Sequence, residues 1–586
     1  MIKTLLAQLR QYKKAALLSP VFTALEVLME LFIPVVTAAI IDHGIEAGNL
    51  TAVYRYGALM LVLAFCSLCF GVLAGRFSAK ASAGFACNLR DAVFCKVQTF
   101  SFSNIDKFST AGLVTRMTTD VTNLQNAFMM MIRIAVRAPL MLVCSMVMCL
   151  VISVRLSAIF LVALAVLGGA LVLIMSRTTR IFEQVFRRYD DLNASVQENV
   201  SAIRVVKAFV RESYENEKFR KAANNLYRLF VKAEGLLALN NPIMMTVVYG
   251  SILALSWFGA HFIVAGSLTT GELTSLFSYV MSVLMSLMML SMVFVMITMS
   301  LASAERVTEV LNETPDLASP EQGLTEVKNG NIDFDRVTFS YKHGSGEKTL
   351  HEISLHIDAG ETIGIVGGTG SGKSSLVNLV SRLYDTDTGR VLVGGVDVRH
   401  YDLDALRDQV AVVLQKNVLF TGTILDNLRW GREDATEEEC REACKAACAD
   451  EFIERFPDGY HTWIEQGGTN VSGGQKQRLC IARALLKHPK VLILDDSTSA
   501  VDTATDARIR EAFARHIPGT TKLIIAQRIS SVQGADRILV LDNGGISGFD
   551  THENLLKNNR IYREIYEAQT QGGGDFDQPA GKDGVQ

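Results

Sequence analysis

Apolar and polar positions divide this 586-residue chain in two. Up to about residue 300, long apolar runs dominate. Beyond it, short β-branched runs alternate with charged helical stretches and glycine turns, the rhythm of an α/β domain. Apolar segments close to the roughly 20 residues that a bilayer requires lie at 16–41, 56–75, 138–154, 157–175, 243–265 and 274–301. They predict six membrane helices. Two of the connections between them are about 60 residues long and keep helical periodicity over most of their length, which predicts helices continuing out of the bilayer rather than loops. Each is interrupted once by a turn-like stretch, FSFSNIDKFSTAG in the first and SVQENVSAIRVV in the second. These are the candidate contact points for the soluble half.

Charge orients the spans. The connection from Arg76 to Arg137 carries eight Lys/Arg and that from Arg177 to Pro242 carries twelve, whereas DHGIEAGNLTAV and AGSLTTGEL carry none and the remaining short connection has only Arg155. By the positive-inside rule the long connections and both termini are cytoplasmic. The opening MIKTLLAQLRQYKK predicts an amphipathic cytoplasmic helix rather than a cleaved signal. A net charge of −3, with no aromatic-basic interleaving, sets nucleic acid aside as a partner. Cys66 and Cys69 form a CxxC within an apolar span, and Cys440, Cys444 and Cys448 share one helical face. Neither has the further ligands that a zinc site needs, so no metal cluster is expected.

The soluble half carries the chemistry. TIGIVGGTGSGKSSLVNLV matches G-x-x-x-x-G-K-S from Gly367 to Ser374, after a β-branched run and before an apolar-periodic helix. Gly367, Gly370 and Gly372 let backbone N–H groups point at phosphate oxygens. Lys373 adds charge at the β/γ-phosphates, Ser374 can ligate Mg²⁺, and Ser375 lies beside it. VLILDD supplies a buried strand whose Asp495 would contact Mg²⁺ or sit in its outer shell. Between the two, VSGGQKQRLCIARAL begins a helix at Ser472 and exposes N–H groups at Gly473 and Gly474, a second anion site in one domain. Such a site makes sense if it serves a nucleotide held by another copy or a partner.

SGGQ (Ser472, Gly473, Gly474, Gln475) between these two motifs resembles the signature of the ATP-binding cassette (ABC) family, and the resemblance extends over nearly the whole chain. It implies ATP and Mg²⁺ as ligands. Tyr341 in VTFSYKHG is similar to the aromatic that stacks on adenine, and Gln415 in VVLQKNVLF to the glutamine that senses Mg²⁺ and the attacking water. IEQGG resembles an exporter cross-talk segment, and SAVD ending at Asp502 the loop that reaches across the dimer. Six spans with long cytoplasmic helices before the cassette resemble an exporter half-transporter. NIDKFSTAGLVTRMTTDV and ENVSAIRVVKAFVRE stand as its coupling regions. The implied fold is an α-helical six-span transmembrane domain (1–311), a linker (312–330), an α/β P-loop nucleotide-binding domain (331–569) and a disordered tail (570–586). One cassette face cannot close an ATP site alone, so a second half-transporter is implied.

Two positions depart from the family. Its general base after the strand aspartate is Glu, and this chain has Asp496; its switch histidine is here Gln527 in LIIAQRISSV. Removing a methylene draws the carboxylate back by on the order of 1 Å. A base out of reach of its water loses much of the ~10²–10⁴-fold that general-base catalysis supplies. The pattern resembles the degenerate-site subunit of a heterodimeric multidrug-type exporter, which lends an intact signature to the partner's hydrolytic site.

Substrate signals are thinner. Met281, Met285, Met288, Met292, Met296 and Met299 recur along the last span, an adaptable lining for hydrophobic or amphipathic small molecules or a plain packing stripe. Arg133 and Arg137 at the start of the third span would face a wet cavity or snorkel to the headgroups. Glu26 and Glu30, on one face of the first span, would line the pathway or pair with an Arg. The expected function is ATP-driven export from the cytoplasm across a bacterial cell membrane. The alternatives are a homodimer with two slow sites, or an ATP-gated channel or regulatory membrane protein.

Overall fold

The computed structural model describes residues 1–341, 348–496 and 501–571, with a few side chains in the helices set aside, Met299 among them. Most of the expected tail, 572–586, lies outside the described residues; 570–571 close the last helix, Arg560–Gln571. Two compact units divide the chain. One comprises Met1–Gln98 and Thr110–Glu313, the other Thr99–Ser109 and Thr314–Gln586.

In the first unit, six helical stretches among the described residues are long and apolar enough to cross a membrane, as the apolar runs predict. The helices outrun those apolar segments. Leu50–Gln98 has 49 residues and Val154–Ser201 has 48, because the polar stretches beyond the bilayer core keep the helical period. The interruptions fall where turn character was expected. Phe102–Phe108, which belongs to the second unit, is a separate short helix opened by a Ser101–Asn104 capping box, and Ile203–Ala208 is set off from its neighbours at Ala202 and at Phe209–Arg211. Prolines 20 and 34 lie within the first membrane helix, Lys13–Ile40. Two carbonyls near Pro34 accept from the last membrane helix, Thr270–Asn312. Tyr279 donates to Leu31 O at 2.7 Å and Ser275 to Pro34 O at 2.6 Å.

The second unit is built on two main sheets. An antiparallel one has the order β2-β1-β4-β5, formed by β1 (Ile332–Phe339), β2 (Leu350–Ile357), β4 (Thr388–Val393) and β5 (Val396–Asp397). The larger has the order β12-β11-β3-β10-β9-β6. Its members are β3 (Thr362–Gly367), β6 (Val410–Val413), β9 (Val491–Asp495), β10 (Thr521–Ile525), β11 (Arg537–Asp542) and β12 (Gly545–Asp550). A two-stranded ribbon joins β7 (Gly422–Thr423) to β8 (Trp463–Ile464). From β11 to β6 the pairings are parallel, and only β12 runs antiparallel. β9 and β10 are buried at every position, as parallel strands covered on both faces must be. The carboxyl ends of β3, β10, β9 and β6 therefore open side by side, the usual place for a ligand in such a sheet.

Candidate functional site

β3 delivers the chain into the P-loop. Gly370 and Gly372 sit at φ +82° and +93°, a region that favours glycine. At Gly370 the backbone angle alone requires it. At Gly372 space does as well, since a Cβ would come within 2.7 Å of Leu350 Cδ2 and 2.9 Å of Thr349 O. Gly372 caps the helix Lys373–Val380, which aims its free N–H groups into the loop. Lys373 Nζ donates to the carbonyls of Gly367 (2.9 Å) and Gly368 (2.8 Å). Burial pushes its pKa down, against the opposing pull of Asp495 and Asp496.

Ser374 Oγ donates to Asp495 Oδ1 at 3.0 Å, so the two residues expected at Mg²⁺ meet. One residue on, at φ +50°, the backbone turns Asp496 toward the neighbouring strand ends. Gln527, just beyond β10, donates from Nε2 to Asp496 Oδ2 at 2.6 Å, and Gln415, just beyond β6, also hydrogen-bonds the Asp496 carboxylate. Asp495 and Asp496 are both buried, and burial raises both pKa values. Ser374 and the Asp496 charge then act in opposite senses on Asp495, while Gln527, Gln415 and Lys373 pull Asp496 back down. Two desolvated carboxylates and a hydroxyl are hard oxygen donors beside a single ammonium. That set fits Mg²⁺ held jointly with substrate phosphates rather than by an all-protein cage.

Tyr341 OH and Ser375 Oγ are 2.8 Å apart, which sets a half-exposed aromatic ring at the start of the P-loop helix. Its edge meets Tyr384 at 5.2 Å between centroids, nearly perpendicular. Tyr384 was not foreseen from the sequence, and neither was Asp106, whose carboxylate accepts the Tyr384 hydroxyl at 2.8 Å. Phe102 packs on the same ring at 6.1 Å, Ser103 donates to Asp316 at 2.6 Å, and Asn104 donates to Thr314 O at 3.3 Å. The short helix Phe102–Phe108 is thus linked through Tyr384 to Tyr341. In sequence Asp106 falls in FSFSNIDKFSTAG, the first candidate contact point for the soluble half, whereas nothing marks Tyr384 as its partner.

The remaining cassette positions lie at other helix ends. Ser472 caps the helix Gly473–Leu485 in a reciprocal box: its Oγ accepts from Gln475 N at 3.3 Å, and Gln475 Oε1 accepts from Ser472 N at 2.8 Å. Gly473 and Gly474 form that helix's first turn. Asp502 caps the helix Thr503–His516, accepting from Thr505 N at 2.9 Å, and this bond holds its pKa below the usual range.

In the membrane unit, Arg137 pairs with both acids of the first helix. Nη1 lies 2.5 Å from Glu26 Oε1, and Nη2 lies 2.9 and 2.7 Å from the two Glu30 oxygens. Of the two roles open to the acids, pairing with an Arg is the one the geometry displays. Gly71 lets the second membrane helix approach Glu26, and Gly75, one turn on, approaches Arg133. Met281, Met285, Met288 and Met292 are exposed on the last helix, whereas Met244 is buried.

Comparison with known proteins agrees with this architecture. Residues 16–288 match the family described as ABC transporter transmembrane region, and residues 350–499 that described as ABC transporter. The uncharacterized ABC transporter ATP-binding protein YfiB of Bacillus subtilis is 36% identical over 564 residues, 96% of this chain and 98% of the relative. A Mycobacterium tuberculosis protein of the same description is 36% identical over 576 residues, 97% of this chain and 98% of its own length. A solved structure of a bacterial Atm1-family ABC exporter with ATP bound superposes with a TM-score of 0.80. It is 26% identical and covers 96% of this chain and 98% of that one.

Proposed function

This chain belongs to the ABC transporter family, and we propose that it is the degenerate-site half of a heterodimeric exporter, moving amphipathic or hydrophobic molecules out of a bacterial cytoplasm. The family makes it an integral membrane subunit of an ATP-driven exporter and its soluble half a transport ATPase domain. The finer reading rests above all on one contact, Gln527 Nε2 to Asp496 Oδ2 at 2.6 Å. It ties up an oxygen that a base would offer to water, on a carboxylate already one methylene short.

Each residue's proposed part follows from its chemistry. Tyr341 presents its ring to the adenine. The P-loop N–H groups and Lys373 take the phosphates, Lys373 exchanging the Gly367 and Gly368 carbonyls for them. Ser374 and Asp495 would hold Mg²⁺, which when bound offsets phosphate charge. Asp496, drawn back and held by Gln527 and Gln415, turns water over slowly. Ser472, Gly473 and Gly474 present N–H and hydroxyl donors to a nucleotide on the partner, and Asp502 lies at the dimer seam. The exposed Ile203, Phe209 and Val210 on the second cytoplasmic turn support pairing, since apolar side chains there favour cover by another cassette. The exposed methionine stripe supports a hydrophobic or amphipathic substrate. Cytoplasmic termini follow from the charge distribution.

The test is steady-state ATP hydrolysis by the assembled heterodimer. Asp496→Asn should lower it only a few-fold. Ser472→Ala with Gly474→Asp removes donors aimed at the partner's nucleotide, each worth on the order of 2.7–4 kcal/mol, and should abolish most of it. Equal losses from the two variants would make Asp496 a working base.

A further inference from the structure

At the end of the large sheet opposite the P-loop lies a cavity of about 350 Å³. Thr362 and Lys522, near the starts of β3 and β10, form its floor; the helix Thr503–His516 and residues 531–536 form its walls. The length of β3, ~16 Å at ~3.3 Å per residue, separates it from Gly367.

Lys522 is only 5% exposed, and the one hydrogen bond of its ammonium among the described residues runs from Nζ to Thr520 O at 2.8 Å. An ammonium has three donors, so two remain to be met. Burial pushes its pKa down, with Asp536 opposing. Asp536 is itself engaged, its Oδ2 accepting the Thr362 N–H at 2.8 Å, and no ion pair joins it to Lys522 among the described residues. A second cation lines the cavity. Arg510 donates to Ser530 O at 3.3 Å and to Asp506 O at 3.4 Å, and pairs with Asp506 Oδ2 at 3.4 Å, all long contacts. Against these, Phe513, Pro518 and Ile524 supply apolar wall. The lining holds two cations and one acid, Asp536, with Arg510 also paired to the buried Asp506 behind it; Lys522, a buried charge with a single neutral partner, is costly unless something pairs it. The volume suits a small ligand, at the lower end of the ~300–1,000 Å³ typical of such sites.

We propose that this cavity binds a small organic anion with an apolar body, a branched or aromatic carboxylate. Its charged end meets Lys522 and Arg510, and its body lies on Phe513, Pro518 and Ile524. The site is separate from the nucleotide's and does not depend on how fast Asp496 works.

The test is titration calorimetry of the full chain in lipid nanodiscs, with empty nanodiscs as the blank. The probes are 4-isopropylbenzoate, its neutral amide and inorganic phosphate, each with and without saturating Mg-ATP. The carboxylate should bind saturably and be undisturbed by ATP, with the amide and phosphate each at least about tenfold weaker, since one charge-assisted bond or the apolar contact is then lost. Lys522→Met should weaken the carboxylate by at least about tenfold. Ala514→Trp, at the exposed rim, should block it while leaving ATP affinity unchanged, and decides the matter if Lys522→Met does not fold. No saturable carboxylate binding, equal binding of amide or phosphate, displacement by ATP, or wild-type binding by both variants would each overturn the assignment.

Discussion

Asp496 and Gln527, the two residues that depart from the family's chemistry, touch each other. Their identities were legible in the sequence, but their contact was not, because it depends on β10 lying between β3 and β9 and bringing three strand ends together with that of β6. A testable consequence concerns charge. Burial raises the Asp496 pKa above its ordinary value of 3.8, so this group's stabilising share is full below that value and is lost as pH rises through the raised one. Asp496→Asn keeps an oxygen for Gln527 and removes the desolvated charge. Without nucleotide or Mg²⁺ it should raise the melting temperature by a few degrees at pH 7.5. The gain should shrink as pH falls and vanish below the ordinary aspartate range. Melting curves across that range decide; a pH-independent gain, or a loss at neutral pH, contradicts the assignment of burial as the dominant cause.

Among helices and strands, the motifs are legible in the sequence and the side-chain bonds between them are not. Ser472 was legible as an N-cap, but its reciprocal bond with Gln475 means that it stabilises its own helix as well as facing outward. Ser472→Ala should therefore cost about 1 kcal/mol of cassette stability. Ser472→Asp retains a cap and should recover that stability in melting curves, yet leave turnover of the assembled dimer low, because it sets a carboxylate against the partner's phosphates. Recovery of turnover together with stability would reduce Ser472 to a cap. Apolar runs located the six membrane helices but not their full lengths, since polar extensions carry no hydropathy signal. Nor could they choose between a pathway and an ion pair for Glu26 and Glu30, because Arg137 lies more than a hundred residues away in the chain. Arg137→Met leaves two uncompensated acids and should destabilise the membrane unit by about 3–5 kcal/mol, whereas Glu26→Gln, Glu30→Gln and Arg137→Met combined should regain most of it. Thermal unfolding in detergent compares the two.

At the level of the whole molecule, the order of P-loop, signature and strand aspartate points to the ABC family and the six spans before them to an exporter half, and the comparisons place the chain in that family. The Tyr384–Asp106 bond is not legible in the sequence because its ends lie far apart in it: Asp106 falls in a turn-like stretch that marks a contact point, but Tyr384 has no motif of its own. Tyr384→Phe keeps the ring and removes the bond to Asp106. It should leave ATP affinity within about twofold while lowering substrate-stimulated hydrolysis more than basal hydrolysis, which fluorescent-nucleotide titration and ATPase assays can separate. The most direct measurement is ATP binding and turnover by this chain purified alone in nanodiscs, beside its Asp496→Glu, Gln527→His variant. The wild-type chain should bind Mg-ATP but hydrolyse it slowly, and the double variant should be faster by at least about tenfold, within the range that a general base supplies. Brisk hydrolysis by the wild-type homodimer, silenced by Asp496→Asn and not raised in the double variant, would contradict the degenerate-site reading.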